Sequence, residues 1–378
     1  MACFKIASYA LSCLLLLNTF RVIHRLTSEK EPSPLPCCDC YDTRKPSVTP
    51  VASKLKLDAS LTLSRLGSDL PFNTSSCPAG SIMTSSIVNT RTPRHDNCPT
   101  LFIIGGRKCG TTSLYQYISR HPDFTGIFLD AGARAGETFY FSKKYEEMTW
   151  SDYIGLFPNH SLTMTGESSV DNLVQCEAPR RLFESCGRQP KIVVLLRDPI
   201  NRFESNFFMK VDFLVPAFDE GTALGVVVTQ TVEKLARKMK IKKFDVHDVQ
   251  KSWPKLTCVF EAAGNMAYEG LYYVHLQNLL CNFPSENILI INTEEFSQHP
   301  CKIVQQTLAF LGLSPLEGKL CKAVTSVVYN KRRARTLLPH QVMSPEERRK
   351  LTDLYSPFNE KLIELLNWTS VDWGFAKT

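Results

Sequence analysis

Leu101 to Arg120 reads LFIIGGRKCGTTSLYQYISR, and the rest of the chain is organised around it. Leu101 to Ile104 is a continuous apolar run suited to a buried parallel strand. Leu114, Tyr117 and Ile118 then recur at helical spacing until His121 and Pro122 stop the pattern. The turn between them, Gly105 to Thr112, puts glycines where backbone must approach a ligand and adds Lys108, Thr111, Thr112 and Ser113. Exposed amides and the positive end of a helix dipole make such a turn an anion site. A nucleoside triphosphate loop reads G-x-x-x-x-G-K-[ST]. Gly105 and Gly110 have that separation, but Thr111 holds the lysine position and Lys108 comes two residues before Gly110, which argues against an ordinary kinase or NTPase.

Outward from this stretch, 378 residues give room for one large α/β domain and an appendage. The net charge of +7 favours a polyanionic partner, and 14 cysteines without paired CxxC spacing point to an oxidising compartment rather than to zinc. Residues 6–23 form an apolar run flanked by positive residues with no small-residue cleavage site beyond it. It is expected to be an uncleaved signal-anchor after a five-residue cytoplasmic tail. Sequons at Asn73, Asn159 and Asn367 suit a luminal chain. Residues 24–98, rich in Ser, Thr and Pro, read as a stem, of which the part around Leu55 to Leu66 is a candidate to dock on the folded domain at 99–378.

Within that domain, Tyr145 to Phe157 is aromatic-rich and reads as core before cofactor box. Leu162 to Glu167 alternates as a short strand whose C-terminal end carries Glu167, a candidate general base or a structural carboxylate. Lys191 to Asn206, KIVVLLRDPINRFESN, is a second strand-to-helix unit. Arg197 ends the strand, and a helix from Pro199 places Arg202 and Ser205 three residues apart, so Arg197 and Ser205 are candidates to hold a phosphate; the other reading pairs Arg197 with Asp198 or Asp171. Thr229 to Lys243 reads as a basic helix, either a solvated face or an acidic-polysaccharide track. Gly270 to Leu280 reads as an amphipathic helix, Asn287 to Asn292 as a buried strand, and Asn330 to Arg335 as a basic loop.

Taken together, IIGGRKCGTTSLY, GESSVDN with APRRLFE, and VVLLRDPINRFESNF resemble the Golgi carbohydrate sulfotransferases over roughly Leu101 to Trp373. Within that group, KCGTT, GESS, LLRDP and the tail LYSPFNEKLIELL look most like the enzymes that 6-O-sulfate N-acetylgalactosamine 4-sulfate, while APRRLF is also similar to heparan sulfate N-sulfotransferases. The resemblance implies a P-loop-like, three-layer α/β fold with a central, mostly parallel sheet flanked by helices. It implies 3′-phosphoadenosine 5′-phosphosulfate (PAPS) as sulfuryl donor, with no metal. The loop residues Arg107, Lys108, Cys109, Gly110, Thr111, Thr112 and Ser113 would cradle the 5′-phosphosulfate, and Arg197 and Ser205 the 3′-phosphate. Lys331, Arg332 and Arg333 would close over the donor. Glu167 would be the base and Lys108 would stabilise the leaving oxygen. The implied acceptor is an anionic glycosaminoglycan, with O-6 of N-acetylgalactosamine 4-sulfate in chondroitin or dermatan sulfate as the first expectation and heparan sulfate as the alternative. The implied setting is the Golgi membrane with a luminal catalytic domain; no nucleic acid partner is expected and nothing specifies an oligomeric state. A glycosyltransferase would show an Asp-x-Asp pair, which is absent, and a non-catalytic glycan-binding protein would need only the basic surface.

Overall fold

The computed structural model describes residues 64–65, 95–127, 136–157, 163–213, 215, 218–241, 244–246, 266–329, 336–368 and 373. The anchor at 6–23, the sequons at Asn73 and Asn159 and the basic segment Lys331, Arg332 and Arg333 lie outside them. Among the described residues no helix is long and apolar enough to cross a membrane.

Among the described residues six strands make one sheet: β1 (Ser64–Arg65), β2 (Leu101–Gly105), β3 (Phe124–Gly126), β4 (Met164–Glu167), β5 (Lys191–Leu196) and β6 (Ile288–Asn292). Their spatial order is β1-β6-β5-β2-β4-β3, with five parallel strands and β1 antiparallel on the β6 edge. β1 comes from the stretch read as stem, through the docking segment noted above. The apolar runs become strands because a parallel sheet is covered on both faces and takes side chains with little alternation. Every residue of β2 and β6 is buried.

Among the described residues the α-helices are α1 (Thr111–Ile118), α2 (Trp150–Gly155), α3 (Asp171–Val174), α4 (Ala178–Cys186), α5 (Pro199–Asp212), α6 (Leu224–Met239), α7 (Tyr272–Leu280), α8 (Thr293–Gln298), α9 (Pro300–Leu311), α10 (Gly318–Thr325) and α11 (Pro345–Leu366). α6 begins five residues before the basic segment that announces it, and Lys240 ends it in the left-handed region at φ 54°. α7 is not amphipathic: Tyr272, Val274, His275, Leu276, Asn278, Leu279 and Leu280 are all buried. The aromatic segment is core, with Tyr140 stacked on Tyr153 at 4.3 Å and Phe141 edge-on to it. One apolar core surrounds the sheet, and a second is built by α5, α6, α11 and the segment Met266 to Val274.

Sheet order decides where chemistry can sit. β2 is central; the chain first lays β3 and β4 on one side of it and then β5 and β6 on the other. Ligands in open α/β sheets bind at the carboxyl edge where the order reverses, here the C-terminal end of β2.

Candidate functional site

The loop after β2 runs from Gly105 to Gly110, with Lys108 and Gly110 in the left-handed region at φ 73° and 89°. Gly110 is the N-cap of α1 and provides no side-chain cap, so the first-turn amides of α1 are the ready donors of an anion site. Carbonyls of the loop are held from neighbouring strand ends. Arg197 Nη1 donates to the Lys108 oxygen at 3.1 Å, and Thr293 Oγ1 to the Cys109 oxygen at 2.7 Å. Burial and the nearby Arg197 lower the Lys108 pKa, so a bound anion would be a welcome partner for both.

The residues singled out in this loop divide by exposure. Lys108, Gly110 and Thr112 are partly exposed, whereas Thr111 and Ser113 are buried and offer chiefly backbone amides. The Cys109 thiol is fully buried 3.6 Å from the Tyr272 hydroxyl, its pKa pushed up to about 11 by desolvation, so it too presents only backbone. Arg107 turns inward. Its Nη2 donates to Asp171 Oδ2 at 2.6 Å and its Nη1 to Glu269 Oε1 at 2.8 Å. Burial works against that charge, but Glu269 and Asp171 more than offset it and hold the pKa above the usual arginine value.

The second candidate anion site is the start of α5. Asp198 caps the helix by accepting from the Asn201 amide at 2.6 Å, and Pro199 occupies its first turn. Arg197 and Ser205 are partly exposed here. Arg202 does not share their face: it is fully buried, donating to Glu269 Oε2 at 3.1 Å and to the Met266 carbonyl. The loop and α5 touch directly, since a Cβ built on Gly106 would lie 3.0 Å from Arg202 Cδ. The edge is closed by Glu294, whose Oε1 accepts from the Asp198 amide at 3.1 Å and whose Oε2 accepts from the Trp373 indole at 3.2 Å.

Two carboxylates stand on the β4 side. β4 pairs with β2 so that Glu167 lies opposite Phe102, three residues, or about 10 Å, short of Gly105. Glu167 is accordingly enclosed. It accepts from the Thr138 hydroxyl, from Ser169 Oγ at 3.0 Å and from Asn172 Nδ2 at 3.3 Å, and it has no exposed surface. Desolvation raises its pKa to about 7 despite those donors. Glu137, one residue before Thr138, is partly exposed, and its charge helps to hold the Arg107 proton in place.

Sequence reasoning missed Glu269 as a partner of both Arg107 and Arg202, and Lys143, which meets Asp171 Oδ2 at 2.7 Å. Glu269 sits 162 residues from Arg107 in sequence, and no spacing rule reaches that far. For Lys143 a local signal existed, the basic pair Lys143-Lys144 between Phe139-Tyr140-Phe141 and the aromatic-rich segment that starts at Tyr145.

Several known proteins resemble this chain. The mouse heparan sulfate glucosamine 3-O-sulfotransferase 3B1 is 24% identical over 298 residues, covering 73% of this chain and 65% of that protein. The rat carbohydrate sulfotransferase 15 is 25% identical over 331 residues, covering 73% and 54%. The chain thus spans less than two thirds of the length of these relatives. Among solved structures, a sulfotransferase from Alicyclobacillus acidocaldarius aligns with a TM-score of 0.49 at 22% identity over 73% of this chain and 99% of that one. Mouse sulfotransferase SULT7A1 complexed with PAP aligns at 0.42 and 14% identity over 81% and 98%. The sulfotransferase domain model matches residues 99–361, which contain both candidate anion sites and both carboxylates, and the chain belongs to that family.

Proposed function

We propose that the protein transfers a sulfuryl group from PAPS to a hydroxyl of an anionic glycosaminoglycan. The observation that carries this reading is that Arg197, at the end of β5, donates to the Lys108 carbonyl beside the uncapped α1 terminus; with partly exposed Ser205 farther along α5, the reading makes these two anion grips, Lys108 with the α1 amides and Arg197 with Ser205. A donor with phosphate at both ends of its ribose fits two such grips, and a nucleoside triphosphate does not need the second. PAPS supplies the activated sulfur when bound. Lys108 and the α1 amides neutralise the charge that gathers on the oxygen joining sulfur to the departing phosphate. Arg197, fixed against the loop through the Lys108 carbonyl, holds the far phosphate with Ser205. The new bond joins the acceptor oxygen to sulfur, the bond from sulfur to the phosphate oxygen breaks, and adenosine 3′,5′-bisphosphate leaves.

The acceptor hydroxyl must lose its proton, a service that general bases provide at roughly a hundred- to ten-thousandfold in rate. Glu167 has a pKa near neutrality but is sealed, so contact with an acceptor requires Thr138, Ser169 or Asn172 to yield. Glu137 is partly exposed where Glu167 is sealed, and the reading adopted is that Glu137 receives the proton with Glu167 as the inner carboxylate behind it. Labelled sulfate transfer from PAPS to defined chondroitin, dermatan and heparan chains tests the whole proposal. Transfer to none of them, with correctly folded protein, overturns it. Glu137→Gln should abolish transfer and leave adenosine 3′,5′-bisphosphate binding near normal; loss of transfer in Glu167→Gln alone would move the proton to Glu167.

The same panel names the acceptor. O-6 of N-acetylgalactosamine 4-sulfate is the position the sequence resemblance favours, while relatives named for heparan sulfate favour a glucosamine unit. The proposed setting is the Golgi lumen behind the N-terminal anchor, which the apolar run, the sequons and the disulfides support.

A further inference from the structure

Glu269 lies in the one-turn 3-10 segment Tyr268–Gly270, outside every motif that announces the site. It is fully buried. Its two oxygens face different parts of the molecule. Oε1 accepts from Arg107 at 2.8 Å; Oε2 accepts from Arg202 at 3.1 Å and from Asn206 Nδ2 at 3.4 Å. Arg107 is the residue before Lys108 in the loop, and Arg202 and Asn206 straddle Ser205 on α5. One carboxylate therefore bridges the loop and the helix that supply the two grips. The turn carrying it is itself braced from α11: Tyr355 donates to the Ala267 carbonyl at 3.0 Å, and its ring packs so closely on Gly270 that a Cβ there would come within 2.7 Å.

A carboxylate buried only to neutralise one arginine would need one face. Here each guanidinium takes its own oxygen, so moving the loop relative to α5 stretches a charge-assisted bond on one side or the other. We infer that Glu269 is a positioning residue that couples the two phosphate grips, so that the donor is recognised by the distance between its phosphates and not only by each of them. This rests on the proposed function, in which one donor occupies both grips. A ligand with two phosphates feels the fixed separation; a ligand with one phosphate does not. Without Glu269 the grips shift independently, and the two-ended ligand has to bring them into register itself.

The test compares the affinities of the full chain for adenosine 3′,5′-bisphosphate, adenosine 5′-monophosphate and adenosine 3′-monophosphate by calorimetry. In Glu269→Gln the bisphosphate should bind about tenfold more weakly and each monophosphate about twofold more weakly or less. Glu269→Asp, which keeps the charge, should recover part of the bisphosphate affinity. Equal weakening of all three ligands overturns the inference, because that is what a merely structural role would give; so does the absence of any weakening. If Glu269→Gln does not fold, Asn206→Ala removes one bond from the same oxygen and should show the same order of effects at about threefold for the bisphosphate. A wild-type chain that binds none of the three ligands would instead sink the donor reading itself, an outcome distinct from either result in the variants.

Discussion

Gly105 and Gly110 serve the loop for different reasons. Gly110 holds a left-handed turn, whereas Gly105 lies where β2 runs so close to β5 that a side chain would press on the Leu195 carbonyl. Gly105→Ala is expected to destabilise the fold by about 1–3 kcal/mol and to weaken adenosine 3′,5′-bisphosphate binding, both measurable on the purified protein by urea titration and calorimetry. Glu167 gives a pH prediction. In the folded chain it keeps its proton up to about pH 7, while unfolded it ionises near its ordinary 4.5. Unfolding therefore releases a proton in that window, and stability falls as pH rises from 4.5 to 7, by roughly 3 kcal/mol for this group. Glu167→Gln removes that contribution, so the variant should gain on wild type progressively across the window and hold the gain above it; parallel stability curves for the two proteins would refute the assignment. At this scale the positions of Lys108, Gly110 and Arg197 at strand ends were readable because each sits in a local strand-to-turn pattern, and that of Ser205 because it follows in the helix that Pro199 opens. The inward turn of Arg107 was not readable, because its carboxylate partners, Asp171 and Glu269, arrive from 64 and 162 residues away.

Among the elements, those with strong local chemistry were the legible ones. The apolar runs before Gly105 and Arg197 and at Ile288 became strands within a residue or so of their expected ends. Gly312 ends α9 in the left-handed region, as a glycine after the last apolar position should. The elements misread were those decided by packing. α7 looked one-sided but is enclosed between both cores, and α6 begins in the apolar stretch from Leu224, where its buried face starts, ahead of its charges. α11 illustrates local chemistry that can be measured: Ser344 accepts from the Glu347 amide at 3.3 Å and Glu347 accepts from the Ser344 amide at 2.6 Å, a reciprocal cap. Ser344→Ala should cost about 1 kcal/mol, seen as a lower urea midpoint with unchanged slope. Since α11 braces the turn that carries Glu269, donor affinity should fall slightly in the same variant.

For the molecule as a whole, disulfides close loops of very different length. Cys98–Cys186 joins the approach to β2 with the end of α4 across 88 residues, and Cys301–Cys321 joins α9 to α10 across 20. Chain entropy makes the longer closure worth about 5 kcal/mol and the shorter about 3 kcal/mol. The double serine variant of the first pair should accordingly lose more stability than that of the second, and comparable losses would show that native-state contacts dominate instead. The wide cysteine spacing was enough to expect an oxidising environment, but pairing depends on how strands from both halves of the chain are interleaved, which the spacing does not encode. Trp373 offers one practical consequence. Its indole leans on Trp368 and hydrogen-bonds the acidic side chain that also receives the first amide of the Asp198 turn. Ultraviolet emission from this corner should therefore change when a nucleotide settles against the neighbouring helix, giving the protein an intrinsic optical titration signal that needs neither label nor acceptor sugar.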